Sequence, residues 1–411
     1  MSEAEYDVVI IGGGVSGLTA AIGLAEGGCR VAVVSQGDPI ACVSTGCIDV
    51  LDRGDNPLEA MAALGEGHPY RLVPREDIVF DLDRFLEMMA AEDLAYVGSP
   101  QENRGIVTPL GTIKTTCLVP ETMSCSPTRH DDHLHIVSFA GLKDFYPSHI
   151  QARFRHADFS VFDAGPSSTM SLARQFETRS FRGRFLDWLK GIDIRGEKIG
   201  LPAVLGLETP GQIRAEIEGE MKRPVFEIPT LPPSVPGLRL FRALKKRFLD
   251  LGGNLYWGKP IGSVERYGRV IEAITIAARG RSTRVNGKAF ILATGSFVSG
   301  GLYAGLDAVK ETVFNLPVHA PPSRESWFGP DFFPPKHPIE ESGIIVDESF
   351  RPRDVPLENI FVCGSILAHA AVISHGCGHG VAIVTGMAAA ASCRSYLKAC
   401  EVDTRSCSRI V

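Results

Sequence analysis

The sequence predicts an α/β protein in which a nucleotide-binding domain, built on a parallel sheet with a β-meander, carries an inserted α+β second domain. Three observations lead there. Val8–Ser35, VVIIGGGVSGLTAAIGLAEGGCRVAVVS, passes from strand to glycine loop to helix to strand. The C-terminal half holds two further strand-rich segments, AFILATGS and GIIVDESFRPR…ENIFVCGS. The stretch between is less regular and contains the proline-rich LPPSVPG. The first domain is therefore expected to take residues 1–75 and 256–411, with 76–255 inserted.

In chain order, Asp7–Ile11 is an apolar run of strand length followed by glycine. Leu18–Glu26 has helix-forming composition and is closed by Gly27-Gly28, and Arg30–Val34 is a β-branched strand. Two strands around one helix with short connections make a βαβ unit with a parallel pair. His135–Gly141, Pro147–Ala157 and Phe159–Ala164 read as strand, helix and strand, a second such layer. Thr209 and Pro210 form an N-cap and first-turn proline for the helix carrying GQIRAEIEGEM. The three prolines of Leu231–Gly237 predict irregular chain. It leads into a helix over Leu238–Leu251, ended by Gly252-Gly253. GSVERYG, VIEAITIAA, STRVNG and AFILATG then read as strands separated by turns. They form a meander whose last strand, ending Ala293-Thr294-Gly295, rejoins the first sheet. The last long helix begins near Gly380.

Composition narrows the function. The 411 residues are 44% hydrophobic and 22% charged, with a formal net charge of −6. No excess of cations is available to neutralise phosphates, so nucleic acid is not expected as a partner. Lys245-Lys246-Arg247 reads as a solvated helix face. Ten scattered cysteines suit a reducing cytoplasm better than a disulfide framework. MSEAEYD shows no secretory pattern. Gly380–Cys393 falls short of the roughly 18 apolar residues a spanning helix needs, so membrane contact is expected only through a partner.

Gly12-x-Gly14-x-x-Gly17 sits between strand and helix, the context that gives the motif meaning. Gly12 permits the tight turn, Gly14 lets a phosphate approach the backbone, and Gly17 lets helix and strand pack closely. The helix N-terminus then faces an anion. The acidic residue that grips a ribose, about 20 residues on, is replaced by Ser35. A hydroxyl cannot make the bidentate contact of a carboxylate. Asp38 lies near enough to substitute, so the spacing allows either a dinucleotide held with less help or a mononucleotide.

The two C-terminal segments resemble the paired return segments of two-domain flavoproteins. There one strand ends in Ala-Thr-Gly and a later one sets a glycine turn beside the ribityl chain and phosphate, which points to Gly295 and Gly364. More closely, the chain resembles the B subunit family of the anaerobic glycerol-3-phosphate dehydrogenase over most of its length. DVVIIGGGVSGLTAAIGLAEGG, STGCIDVL, VSFAGLKDF, IPTLPPSVPGLRL and GCGHGVA carry the resemblance. It implies a Rossmann-like flavin-binding domain holding FMN, with FAD as the alternative. It also implies oxidation of sn-glycerol 3-phosphate to dihydroxyacetone phosphate with electrons passed to quinone. The implied partners are the A subunit, a catalytic flavoprotein, and the C subunit, an iron–sulfur protein, on the cytoplasmic membrane face. Without a dense Cys-x-x-Cys array this chain is expected to hold no cluster. Two other readings stay open: a stand-alone flavin oxidoreductase on another small hydroxy substrate, and a scaffold or electron-relay subunit. Gly364-Ser365, where many flavoproteins have Gly-Asp or Gly-Glu, keeps the scaffold reading open.

Several residues are candidates for the chemistry. Ser44, Thr45 and Gly46 match the small-residue segment that runs beneath the isoalloxazine in related flavoproteins. Cys42 and Cys47 have the spacing of a redox pair, but no second GxGxxG accompanies them, and two isolated thiols are the expectation. In SHGCGHG, Gly376 and Gly378 suit a flavin- or phosphate-contacting turn, and His375 or His379 suits a proton acceptor, against a purely structural role. A metal is not expected there, because Cys377 between the histidines falls on the wrong side of a turn. Arg239, Arg351 and Arg353 are candidates to clamp a substrate phosphate, although each alone reads as easily as a surface arginine.

Overall fold

The computed structural model describes residues 2–277, 282–331 and 336–407. The chain forms two compact units: Met1–Ile40, Ala60–Phe85 and Leu244–Val411 in one, and Ala41–Glu59 and Leu86–Ala243 in the other.

The first unit contains β1 (Ser2–Ile11), α1 (Val15–Glu26), β2 (Val31–Ser35), β3 (Asn254–Trp257) and β4 (Ile261–Tyr267). β5 (Val270–Ile276), β6 (Thr283–Leu292), β7 (Ile360–Val362) and α2 (Gly378–Cys407) complete it. The sheet order is β3-β2-β1-β6-β5-β4, with β7 also paired to β6. β3, β2, β1, β6 and β7 run parallel, and β6, β5 and β4 form the antiparallel meander. Val8–Ile11 and Val31–Val34 are buried throughout, as continuous apolar runs must be when both faces of a parallel sheet are covered. α2 packs on α1. Gly386 permits this, because a Cβ there would lie 2.6 Å from the Ser16 carbonyl oxygen.

The expected turn between STRVNG and AFILATG does not form; β6 runs straight through Asn286-Gly287. Gly287 pairs with Tyr6, and a Cβ on it would lie 2.8 Å from Val9 Cγ2. This glycine serves close packing within a strand, not a turn. Ala278, at the end of the predicted VIEAITIAA strand, lies outside the described residues.

The second unit is α+β. Its parallel sheet runs Val225–Ile228, Lys198–Pro202, His133–Phe139, His156–Phe162. The helix Pro147–Arg153 connects the last two, as the second βαβ layer predicted. Its core is aromatic: Phe185 meets Phe176 and Phe162 edge-on at 5.2 and 5.4 Å between centroids. Two elements depart from expectation. Thr209 precedes the helix Pro210–Met221, but its side chain makes no capping bond and its hydroxyl donates to Glu177 Oε2 instead. The helix expected from Leu238 starts at Val235, inside the proline-rich run. Pro236 costs it nothing, since a first-turn residue needs no N–H donor, and the Gly237 N–H donates to Ser234 Oγ at 3.1 Å. Among the described residues, no helix is long and apolar enough to cross a membrane.

Candidate functional site

Parallel strands aim their C-terminal ends at one edge of the sheet, where ligands of open α/β folds bind. In the first unit that edge gathers Gly12 after β1, Ser35 at the end of β2, Ala293–Gly295 after β6 and Gly364 after β7. Register fixes this, since Ile11 pairs with Leu292, Leu292 with Val362, and Ser35 with Trp257.

The glycine loop is built by near-contact. Gly12 has a φ of +116°, and a Cβ on it would lie 2.1 Å from the Ala293 carbonyl oxygen. A Cβ on Gly17 would lie 1.9 Å from the Gly12 carbonyl oxygen. Gly14 differs: a Cβ there would meet nothing within 4 Å. It is the N-cap of α1 and supplies no side-chain cap. The first-turn N–H groups therefore have no intrahelical acceptor, and the space a Gly14 side chain would take is open. Gly364, with φ +85°, lies against Ser16, and its N–H donates to Thr385 Oγ1 at 2.9 Å. A Cβ on Gly295 would come within 2.7 Å of Ser299 Oγ and 3.5 Å of Ser365 Oγ. The hydroxyl of Thr294 is buried without a hydrogen-bond partner. An open, uncapped helix start, glycines where side chains would intrude and an orphaned hydroxyl together fit a phosphate-bearing flavin.

Ser35 is 8% exposed, and its hydroxyl donates to the Gly37 carbonyl at 3.0 Å. A Cβ on Gly13 would lie 2.8 Å from the Trp257 ring and 3.0 Å from Ser35 Cβ. An aromatic ring thus stands beside the strand end where a nucleoside would be read. Sequence reasoning missed Trp257, whose partner strand lies more than 200 residues earlier.

Ser44, Thr45 and Gly46 belong to the second unit. Ser44 Oγ donates to the Ala41 carbonyl, and the Gly46 carbonyl accepts the Tyr96 hydroxyl at 2.7 Å. Gly46 has φ +77° and lies against Pro236. Cys47 is buried, with its Sγ 3.9 Å from Met123 Sδ, and burial pushes its thiol up to about 12. It is a poor nucleophile near neutral pH.

The three arginines are not brought together. Arg239 is buried, and its fork donates to both Glu227 oxygens at 2.6 and 2.9 Å, with Nε on the Gly206 carbonyl. Burial alone pushes the Glu227 carboxyl up, but the Arg239 charge prevails and holds it below its ordinary value. The clamp expected for a phosphate is spent on this carboxylate. The Arg351 guanidinium lies over the rings of Phe361 and Tyr396, 5.4 and 5.3 Å from their centroids. By helix rise Tyr396 is about 27 Å along α2 from Gly378. Arg353 is exposed, 3.9 Å from Glu348.

At the start of α2, Gly376 has φ +51° and Gly378 is the first helical residue. His375 is buried with its ring centroid 5.3 Å from that of His68, and His379 is half-buried in the first turn of α2. Donor atoms of His68, His375 and Cys377 all lie within 4.8 Å of one another, so the fold supplies a third donor that spacing did not reveal. Burial, with His375 adding to it, lowers His68 to about 3 and keeps it neutral. Its Nδ1 accepts the Tyr70 N–H at 3.2 Å, so the single ring proton sits on Nε2 and neither nitrogen keeps a spare lone pair. A second cluster, also unread in the sequence, joins His319, Glu341 and His369.

The model of the family described as FAD binding domain matches residues 7–381. The B subunit of anaerobic glycerol-3-phosphate dehydrogenase from Pectobacterium carotovorum subsp. carotovorum (strain PC1) is 32% identical, covering 93% of this chain and 97% of the relative. The protein of the same name from Vibrio vulnificus (strain YJ016) is 28% identical, covering 97% and 98%. Among solved structures, a chain of E. coli quinol fumarate reductase matches with a TM-score of 0.45 at 9% identity, over 97% of this chain and 71% of that one. The chain belongs to the FAD binding domain family of flavoproteins and, within it, to the family of anaerobic glycerol-3-phosphate dehydrogenase B subunits.

Proposed function

We propose that this chain is the flavin-carrying B subunit of a glycerol-3-phosphate dehydrogenase. In this reading it takes part in oxidising sn-glycerol 3-phosphate to dihydroxyacetone phosphate and passing electrons toward quinone. Its partners are the A subunit, a second flavoprotein, and the C subunit, an iron–sulfur protein, which hold it at the cytoplasmic face of the membrane. The end-to-end likeness to proteins of that name carries the reading. The open helix start at Gly14 supports it independently, because it suits a flavin phosphate. When bound, the flavin supplies a two-electron acceptor for a hydride. The chain's own part is to hold its phosphate at the first turn of α1 and to set Gly295, Gly364, Gly376 and Gly378 where backbone can approach closely.

The cofactor proposed is FMN. Ser35 has committed its hydroxyl to Gly37, and the Trp257 ring stands beside the same strand end, so Ser35 itself is not arranged to grip an adenosine ribose. Denaturing the purified protein and identifying the released chromophore by mass tests this. FMN is the expected outcome; FAD would mean that the adenosine is held elsewhere in the chain.

One observation favours a second reading, a relay protein whose partner binds the substrate. Arg239, the best-placed phosphate clamp by sequence, is consumed by Glu227. The two readings separate when glycerol 3-phosphate is added anaerobically to the flavin-loaded chain alone and then to the complex. Bleaching of its flavin in both supports the first reading, and bleaching only in the complex supports the second.

A further inference from the structure

Three stretches far apart in sequence meet in the first unit just after β7. His319 and Gly343 exchange backbone hydrogen bonds at 2.8 and 3.0 Å, and Ile344 bridges to Leu367 beside them. A Cβ on Gly343 would lie 2.4 Å from the Ile366 carbonyl oxygen, so these segments pack at backbone distance. The result is a compact side-chain cluster. The His319 and His369 rings lie 4.4 Å apart between centroids. His369 Nδ1 donates to Glu341 Oε2 at 3.3 Å, and its backbone N–H donates to the Glu341 carbonyl at 2.9 Å.

His369 is held in this place against its backbone preference. Its φ is +61°, a left-handed value, and a Cβ on Gly67 would lie 2.7 Å from its ring. Such conformations persist where the surroundings over-determine them and gather at functional sites. Its side chain is still 30% exposed, so the ring is reachable from solvent. The Glu341 carboxyl is pushed up by burial, but the Lys336 ammonium and His369 outweigh this and hold it below the usual range. It is therefore an ionised acceptor. The other titratable groups facing His369 are His319, lowered by burial and by His369 itself, and His68. Lys336 pairs with the far oxygen of Glu341.

A histidine whose Nδ1–H is fixed on a carboxylate presents an Nε2 lone pair, and the carboxylate stabilises the cation formed when that nitrogen takes a proton. We propose that His369 is the proton acceptor for the hydroxyl of the substrate and that Glu341 is its positioning residue. The proposal rests on the reading of this chain as an oxidoreductase acting on a hydroxy substrate. The hydroxyl O–H bond breaks and its proton passes to His369 Nε2. A flavin held at the first turn of α1 would supply the oxidant, taking as hydride both electrons of the adjacent C–H bond as it breaks, so that the carbon–oxygen bond becomes a carbonyl. The imidazolium then returns its proton to water.

The test is the anaerobic reduction of this chain's flavin by glycerol 3-phosphate in the purified complex, followed by stopped flow across pH. Wild type shows a rate that falls on the acid side as the base is protonated. His369→Gln lowers the rate roughly 10²–10⁴-fold and removes that acid limb. His369→Asn does the same while tolerating the left-handed backbone. Glu341→Gln moves the limb and Glu341→Asp restores part of it. A readout without turnover accompanies these: ¹⁵N-histidine spectra show His369 as the Nδ1–H tautomer in wild type and lose that signal in Glu341→Gln. A folded His369→Asn protein with unchanged rate and acid limb overturns the assignment, as does loss of the limb in His375→Gln with His369 intact. If wild-type flavin is not reduced at all, the functional reading itself falls and this assignment with it.

Discussion

At the scale of single residues, Gly12 and Gly14 show two different uses of glycine two residues apart. Gly12 is fixed by backbone it nearly touches, whereas Gly14 borders open space. Charge can therefore be introduced at Gly14 without disturbing packing. Gly14→Asp is expected to lose its flavin while melting with the flavin-free wild type, because a carboxylate at the helix start occupies and repels the phosphate site without disturbing packing. Flavin absorbance per chain after gel filtration, beside a thermal melt, checks both halves. The glycine loop was legible in the sequence because its spacing is local. His369 was not, since its partner Glu341 lies 28 residues away and its neighbour His319 lies 50 away, with no motif binding the three. Arg239 was misleading for a related reason: a basic residue after a proline turn says nothing of a carboxylate buried on a strand twelve residues earlier.

At the scale of elements, that same pair ties the helix Val235–Asp250 to the strand Val225–Ile228. Both side chains are almost wholly buried, at 2% and 0% exposure. Removing one partner strands the other charge in a dry interior, so Arg239→Met is expected to cost about 3–5 kcal/mol in urea unfolding. Replacing both, as Arg239→Met with Glu227→Leu, is expected to cost much less than Arg239→Met alone. A double-mutant cycle gives the difference. β1, read as a continuous apolar run, and α1, read from its composition, were legible to within three to five residues at their starts and to the residue at their ends. The exceptions were places where proline or glycine served packing: Pro236 inside a helix start and Gly287 inside β6 both read locally as breaks.

At the scale of the whole molecule, the buried His68 links fold to acidity. It is neutral in the folded chain, lowered to about 3 by burial and by His375, against 6.5 for an ordinary histidine. As pH falls below about 6.5 the unfolded chain takes up a proton that the folded chain refuses, so stability declines until about pH 3. The slope from this group alone approaches roughly 1.4 kcal/mol per pH unit. Urea unfolding between pH 6.5 and 5 is expected to show this slope, and His68→Gln to remove its share. An interrupted domain plan remains the expectation drawn from strand-rich segments at both ends of the sequence. The loop that opens the chain is finished only by residues far along it, with Gly12 against Ala293 and Ser16 against Gly364 and Gly386. A ribosome releases the first of these on the order of tens of seconds before the last. The loop and the residues that close it are therefore brought together only when translation is nearly over, so assembly of this edge of the sheet is a late event in the synthesis of the chain.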